Sequence, residues 1–311
     1  MQKRIPIDAP LAFLVGPTAA GKSALALRVA EAAGAELLSL DSMQVYRGMD
    51  VGTAKPGPEE RARVPHHLLD LVEPSERYHV ERYLSDAAQA WSDACARGRP
   101  AFFAGGTGLY LKALCYGLFE GPEHDPELRA ELRARAAAEG SAALHAELVR
   151  VDPASAARIH PNDEKRVVRG LEVFRTAGRP LSALQREWEG SRAGRPRALL
   201  GVAPSPERLD ERIRARTRAM LAGGWIEEVE RILSAGGFGP TSSQALGYAQ
   251  IARHLAGGSS LSELELEIAG LTRRFARRQR TWFRGFPDIV WIDPDAQGAA
   301  GRAAEVLRLA G

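Results

Sequence analysis

Residues Gly16-Pro17-Thr18-Ala19-Ala20-Gly21-Lys22-Ser23 follow the pattern G-x-x-x-x-G-K-S. The chemistry open to that spacing is narrow. Backbone N–H groups of a glycine-rich turn can converge on phosphate oxygens, and a helix that starts there adds the positive end of its dipole. Lys22 is placed to reach a terminal phosphate, and the Ser23 hydroxyl is a hard oxygen ligand for Mg²⁺. The apolar run Leu11–Val15 comes directly before the pattern and helix-forming residues 24–32 directly after. Strand, loop and helix in that order are what a phosphate-binding loop needs, so the chain is expected to hold a polyphosphate.

Two further residues are placed for chemistry. Asp41 closes a second apolar run, Leu37–Leu40. A carboxylate at a strand end can be a turn residue, a partner of Mg²⁺ or a general base, and proximity to the phosphate loop favours the latter two. No Asn-Lys-x-Asp guanine motif is evident, which argues against a GTPase. Arg216 falls in a helix expected over Pro206–Ala222, where Leu209, Ile213 and Met220 recur on one face. It sits at the edge of that face while Arg214 and Arg218 point away. An arginine at such an edge needs an anion, either a structural carboxylate or a bound phosphate.

The elements that must position these residues read as α/β. Leu11–Val15, Leu37–Leu40 and Ala101–Ala104 end in polar or glycine-rich turns, the last in Gly105-Gly106-Thr107-Gly108. Ala198–Ala203 and Ile289–Ile292 read as later strands, and helical stretches such as Val80–Arg97 lie between the runs. Alternation of this kind gives a P-loop NTPase-like parallel sheet with helices on both faces and ligands at the carboxyl ends of the strands. Between residues 117 and 196 helix follows helix with no strand. Asp125-Pro126 starts one and Gly140 stops it, Asp152-Pro153 starts another, and Asn162 caps a third that ends at Gly178. The expected organisation is a catalytic core of residues 1–116 and 197–311 interrupted by a helical insert domain, 117–196.

The 311 residues suit such a core with an insert. No run is long and apolar enough to span a membrane. Cys95 and Cys115 are too few for a disulfide framework, and a cytoplasmic location is expected. Net charge is +3, yet Arg273, Arg274, Arg277, Arg278, Arg280 and Arg284 crowd between Leu271 and Phe286 with no acid. In a helix there, Ile268, Leu271, Phe275, Trp282 and Phe286 share one face and Arg273, Arg277, Arg280 and Arg284 form a stripe opposite. An arginine face without interleaved glutamates suits a polyanion such as RNA. A second, weaker basic face combines Lys165, Arg166 and Arg169, opposite Val167, Leu171 and Phe174. His66, His67 and Asp70 raise the question of a metal site, but no ligand cluster completes it, and ordinary packing is expected.

An ordered series of motifs resembles the tRNA dimethylallyltransferase family. It runs through Asp41-Ser42-Met43-Gln44-Val45-Tyr46, Asp50–Pro56, Pro65–Asp70, Gly105–Tyr110, Ile159–Asp163, Gln244-Ala245-Leu246-Gly247-Tyr248 and Arg278-Gln279-Arg280-Thr281-Trp282. The resemblance spans residues 11 to about 293. It implies transfer of a dimethylallyl group from dimethylallyl diphosphate to the exocyclic N6 of the adenine 3′-adjacent to the anticodon of tRNA. By the same resemblance Gly16–Ser23 and Arg216 hold the diphosphate, Mg²⁺ sits on Ser23, and Asp41 takes the amine proton. It further implies tRNA contacts from Asp41, Ser42, Met43, Gln44, Thr107, Arg129, Lys165, Arg166, Arg169, Gln244, Gly247, Tyr248, Arg277, Arg278, Gln279, Arg280 and Arg284. The partner is the anticodon stem-loop, and a monomer is expected. Rival readings are a P-loop small-molecule kinase, an isopentenyltransferase acting on free adenine nucleotides, and a non-catalytic RNA-binding module. A free nucleotide does not need two basic faces, and a binding module gives Asp41 and Arg216 no task.

Overall fold

The computed structural model describes residues 5–6, 9–118, 121–122, 125–191, 197–286 and 288–308. The first part of the chain alternates strand and helix: β1 (Leu11–Val15), α1 (Lys22–Ala33), β2 (Glu36–Leu40), α2 (Pro58–Arg63), β3 (His66–His67), α3 (Val80–Ala96), β4 (Ala101–Gly105) and α4 (Gly108–Tyr116). Five helices follow without a strand: α5 (Pro126–Glu139), α6 (Ser141–Val151), α7 (Pro153–Ala156), α8 (Glu164–Ala177) and α9 (Leu181–Ser191). The chain then resumes with β5 (Arg197–Val202), α10 (Pro206–Ala222), α11 (Trp225–Ser234), α12 (Tyr248–Leu255), α13 (Leu261–Arg284), β6 (Val290–Ile292) and α14 (Ala299–Leu307).

All strand pairs are parallel, in the order β3-β2-β4-β1-β5-β6. The five residues of β1 and of β2 are buried throughout, as in a parallel sheet covered on both faces; β1 is wholly apolar, while β2 also carries Glu36 and Ser39. Leu14, Phe102 and Leu200 of the sheet pack with Leu25 and Val29 of α1, Ile213 of α10 and Leu307 of α14 in one core. Register finishes the strands level. Val15 lies beside Gly105 on one side and Gly201 on the other, and Gly105 lies beside Leu40. The residues that come next, Gly16, Asp41 and Gly106, therefore emerge at one edge of the sheet.

Strand β3 is the element the apolar pattern does not reveal. It is two residues long, His66 and His67, and its pairing with Leu37 and Leu38 places it at the sheet edge. Both histidines have protein partners. His66 Nδ1 lies 2.7 Å from the Val64 carbonyl and His67 Nε2 lies 2.7 Å from Glu36, while Asp70 pairs with Lys55 and Arg61. Among the described residues no cluster of three or more His, Cys, Asp or Glu could hold a metal ion.

Two compact units divide the chain, residues Met1–Cys115 with Arg195–Gly311, and residues Tyr116–Gly194. The expected boundary at 196 lies outside the described residues. The second unit has its own core of Leu132, Leu144, Leu148, Val167, Val168 and Leu171. Its helix α5 starts on Asp125, whose carboxylate accepts from Glu127 N–H and Leu128 N–H. Helix α8 is capped by Asp163, not Asn162: the Asp163 side chain accepts from Arg166 N–H, the stronger role because a carboxylate also complements the helix dipole. Among the described residues no helix is long and apolar enough to cross a membrane.

Candidate active site

The phosphate-binding loop is built as its pattern demands. Gly16 presses against β5 so closely that a Cβ there would meet the Val202 carbonyl oxygen at 2.3 Å, so only glycine lets the loop leave β1 at this angle. Gly21, with φ of 87°, turns the chain into α1, whose first residues are Lys22 and Ser23. Asp41 emerges two strands away, about 10 Å from Gly16 at the usual inter-strand spacing. Between them opens a cavity of ≈ 580 Å³ lined by Thr18, Lys22, Ser23, Asp41, Thr107 and Arg216, among others.

Its electrostatics are those of an anion site. Lys22 donates to the Pro17 carbonyl of its own loop at 2.6 Å. Burial pulls its ammonium down to a pKa of about 7, the charge of Arg216 adds to the fall, and Asp41 opposes it. Burial also lowers Arg216 from its ordinary value, with Asp41 again opposing. Among the described residues no carboxylate lies within 4.0 Å of Arg216. Its neighbours on α10 are paired with carboxylates: Arg212 with Asp295, Arg214 with Asp210 and Arg218 with Glu265. Among the described residues no structural carboxylate explains Arg216, and Lys22, Arg216 and Arg278 line the cavity together with Asp41.

Asp41 is fixed by its own turn, Oδ1 accepting from Met43 N–H at 2.8 Å. Thr107, from the turn after β4, holds the next residue by accepting from Ser42 N–H at 3.0 Å. Gln44 is held in turn, its amide donating to the Thr53 and Ala54 carbonyls and its oxygen accepting from the Ser39 hydroxyl. The rest of the lining is mixed, its apolar part including Ile213, Met220, Trp225, Leu246, Ile268 and Leu271.

Glu228, which the apolar pattern of α11 conceals, anchors the outer wall. It is 1% exposed, and one carboxylate accepts from Asp50, Val51 and Gly52 N–H at 2.7, 2.7 and 3.2 Å and from the Tyr248 hydroxyl at 2.7 Å. Tyr248 lines the cavity but is 1% exposed, its phenol donating to Glu228. Gly247 precedes it as the cap of α12, and Gln244, exposed at the rim, donates to the Pro240 carbonyl.

Helix α13 is turned relative to the expected face. Leu264, Ile268, Ala269, Ala276, Gln279 and Phe283 are buried, whereas Phe275 and Trp282 are 37% and 44% exposed. The reason is Gln279. Its oxygen accepts from Thr18 N–H at 2.8 Å and its amide donates to the Gly106 carbonyl at 2.9 Å, which holds that side of the helix onto the loops while Phe275 and Trp282 stay partly exposed. Phe275 lines the cavity and the Arg278 guanidinium lies over its ring at 5.8 Å. Arg273 leaves the expected stripe to pair with Asp210 of α10. Arg274, Arg277, Arg278, Arg280 and Arg284 have no carboxylate partner among the described residues, and all but the partly buried Arg280 are exposed.

In the second unit the basic face is smaller than expected. Arg129 and Arg169 converge on Glu172, which is fully buried, at 2.7 and 3.0 Å, and Arg166 pairs with Asp163 at 2.9 Å. Lys165 is exposed.

Fold and site together define a P-loop α/β protein whose basic side chains adjoin a carboxylate and apolar residues in one cavity. The family model described as IPP transferase matches residues 44–286, and that described as isopentenyl transferase matches residues 9–70. The tRNA dimethylallyltransferase of Anaeromyxobacter dehalogenans is 48% identical over 91% of this chain and 95% of its own, and that of Geobacter sulfurreducens 46% identical over 91% of each. Among solved structures, a full-length tRNA isopentenylpyrophosphate transferase from Bacillus halodurans aligns over 96% of this chain and 97% of its own, with 35% identity and a TM-score of 0.70. A eukaryotic dimethylallyltransferase acting on tRNA aligns over 95% of this chain and 77% of its own, with 26% identity and a TM-score of 0.78. The chain belongs to the tRNA dimethylallyltransferase family.

Proposed function

We propose that the protein transfers the dimethylallyl group of dimethylallyl diphosphate to the exocyclic N6 of the adenine 3′-adjacent to the anticodon of tRNA. The observation that carries this reading is Arg216: it faces the cavity beside Lys22 with no carboxylate to pair with among the described residues. A diphosphate supplies the missing charge, and the apolar wall of Ile213, Met220, Leu246 and Leu271 suits a short prenyl chain. In the reaction the N6–carbon bond forms as the carbon–oxygen bond to diphosphate breaks, and the leaving diphosphate keeps the electron pair. Lys22 and Arg216 offset the charge that grows on it. The amine is a weak nucleophile because its lone pair is delocalised into the ring, and Asp41 accepts its proton.

Mg²⁺ fits the donors present. Ser23 and Asp41 both line the cavity, and such hard oxygens together with phosphate oxygens are its preferred ligands. When bound there, the ion would neutralise diphosphate charge. The unpaired arginines of α13 supply a surface for the phosphates of an anticodon stem-loop. Neither Cys95 nor Cys115 is in a disulfide, which suits a reducing, cytoplasmic setting.

The test is direct. Labelled dimethylallyl diphosphate with Mg²⁺ should label unmodified tRNA and leave AMP unlabelled, and ATP in a parallel reaction should phosphorylate neither. Label on AMP alone would move the protein to the nucleotide-modifying reading, and phosphoryl transfer to the kinase reading.

A further inference from the structure

Gln279 is a polar side chain in the buried register of a helix whose neighbouring positions carry arginines. Family resemblance counts it among the RNA contacts, yet it is only 8% exposed and both ends of its amide are taken. Its two partners belong to different walls of the cavity. Thr18 is in the phosphate loop after β1. Gly106 is in the turn after β4, and the next residue, Thr107, accepts from Ser42 N–H beside Asp41. One amide thus joins the segment that holds the leaving group to the segment that holds the proton acceptor. The fit is close: a Cβ on Gly106 would come within 2.5 Å of Gln279 Nε2, with the Gly16 carbonyl oxygen next at 3.5 Å and Gln279 Cδ at 3.6 Å.

We propose that Gln279 is a positioning residue that sets the phosphate loop against the turn bearing Thr107, and through Ser42 against Asp41. The proposal rests on the prenyl-transfer reading for its consequence in catalysis, but its effect on the phosphate loop does not. Thr18 N–H is committed to Gln279 and is unavailable to a phosphate, so the side chain acts by fixing loop shape, not by touching the substrate. Any residue that cannot both accept from Thr18 and donate to Gly106 leaves a buried polar group unpaired.

Gln279→Met keeps the volume and removes both hydrogen bonds. In the full-length protein it should weaken binding of inorganic diphosphate about tenfold, the scale of one buried hydrogen bond, and lower the single-turnover rate at saturating substrates. Affinity for an anticodon stem-loop, measured without diphosphate, should stay within about twofold. Gly106→Ala, which pushes on Gln279 from the other side, should reproduce the defect. The double variant Gln279→Ala/Gly106→Ala should be no worse than either single change, because the shortened side chain makes room for the methyl group. Loss of stem-loop affinity with diphosphate binding intact would overturn the proposal in favour of direct RNA contact. A lower melting temperature with affinities and rate unchanged would overturn it in favour of a merely structural residue. Should wild type bind diphosphate yet transfer no prenyl group, the functional reading would fail while the diphosphate comparison still decides the role of Gln279.

Discussion

Binding of the diphosphate donor should take up a proton, and Lys22 is the group that receives it. Burial and the charge of Arg216 hold its ammonium at a pKa of about 7 in the free protein. A bound diphosphate places several negative charges beside it and favours the ammonium, restoring a pKa near or above the ordinary Lys value of about 10.4. Below pH 7 Lys22 is already charged in both states and binding is independent of its titration. Above pH 7 the free protein carries the neutral amine, so binding must import a proton. At pH 8 the free amine is about 10% protonated, and each bound diphosphate should take up ~0.9 proton. Between pH 7 and pH 9 the dissociation constant should rise about fiftyfold. The ligand contributes little over this range, since a phosphate's last ionisation falls near pH 6. Calorimetric titrations at pH 8 in buffers of different ionisation enthalpy measure the uptake, and Lys22→Ala should abolish it along with most of the affinity. Uptake near zero in wild type, or equal uptake in Lys22→Ala, would refute this account of the cradle.

Arg216→Ala should raise the donor KM and lower kcat with little change in melting temperature, because no protein carboxylate loses a partner; a fall in melting temperature with donor kinetics intact would mark it as structural. Replacing Arg277, Arg280 and Arg284 with glutamine should weaken tRNA binding and flatten its salt dependence by roughly 0.7–0.9 log unit per lost contact, with diphosphate affinity unchanged; titrations across a salt series give the slope. Glu36, buried at the start of β2 and held to a pKa of about 2 chiefly by Arg97, contributes stability present above the ordinary carboxylate range and lost as pH falls from about 4.5 towards 2. Glu36→Gln should therefore cost on the order of 2–3 kcal/mol at pH 7 and flatten the acid limb of a denaturation series.

What the sequence disclosed, and what it hid, divides along one physical line. The phosphate loop, Asp41 at a strand end and the run of helices after β4 are local: each is written in adjacent residues by glycine geometry, strand burial or a capping pair. Helix α10 is legible for the same reason, and with it the edge position of Arg216. The residues that tie distant segments together are not. Gln279, Glu228 and Glu172 occupy apolar-register positions of their helices, flanked by Ala276 and Phe283, by Trp225 and Ile232, and by Val168. Read by hydrophobicity alone they look like gaps in a core face. Their partners, Thr18 and Gly106, Asp50–Gly52, and Arg129, lie 43 to 261 residues away, beyond the reach of any local pattern. A polar residue standing where the period calls for an apolar one is the signal that could have marked all three. The same oversight rotated α13, whose exposed aromatic side looked like its core side.

The most direct test of the central claim is a single-turnover reaction of wild type and Asp41→Ala with preloaded donor and tRNA, followed by nucleoside analysis of the anticodon loop. Wild type should yield one dimethylallylated adenine next to the anticodon. The variant should bind both substrates and form that product more slowly by about 10²–10⁴. A wild-type reaction that leaves this adenine unmodified, or a variant that modifies it at the wild-type rate, would contradict the account.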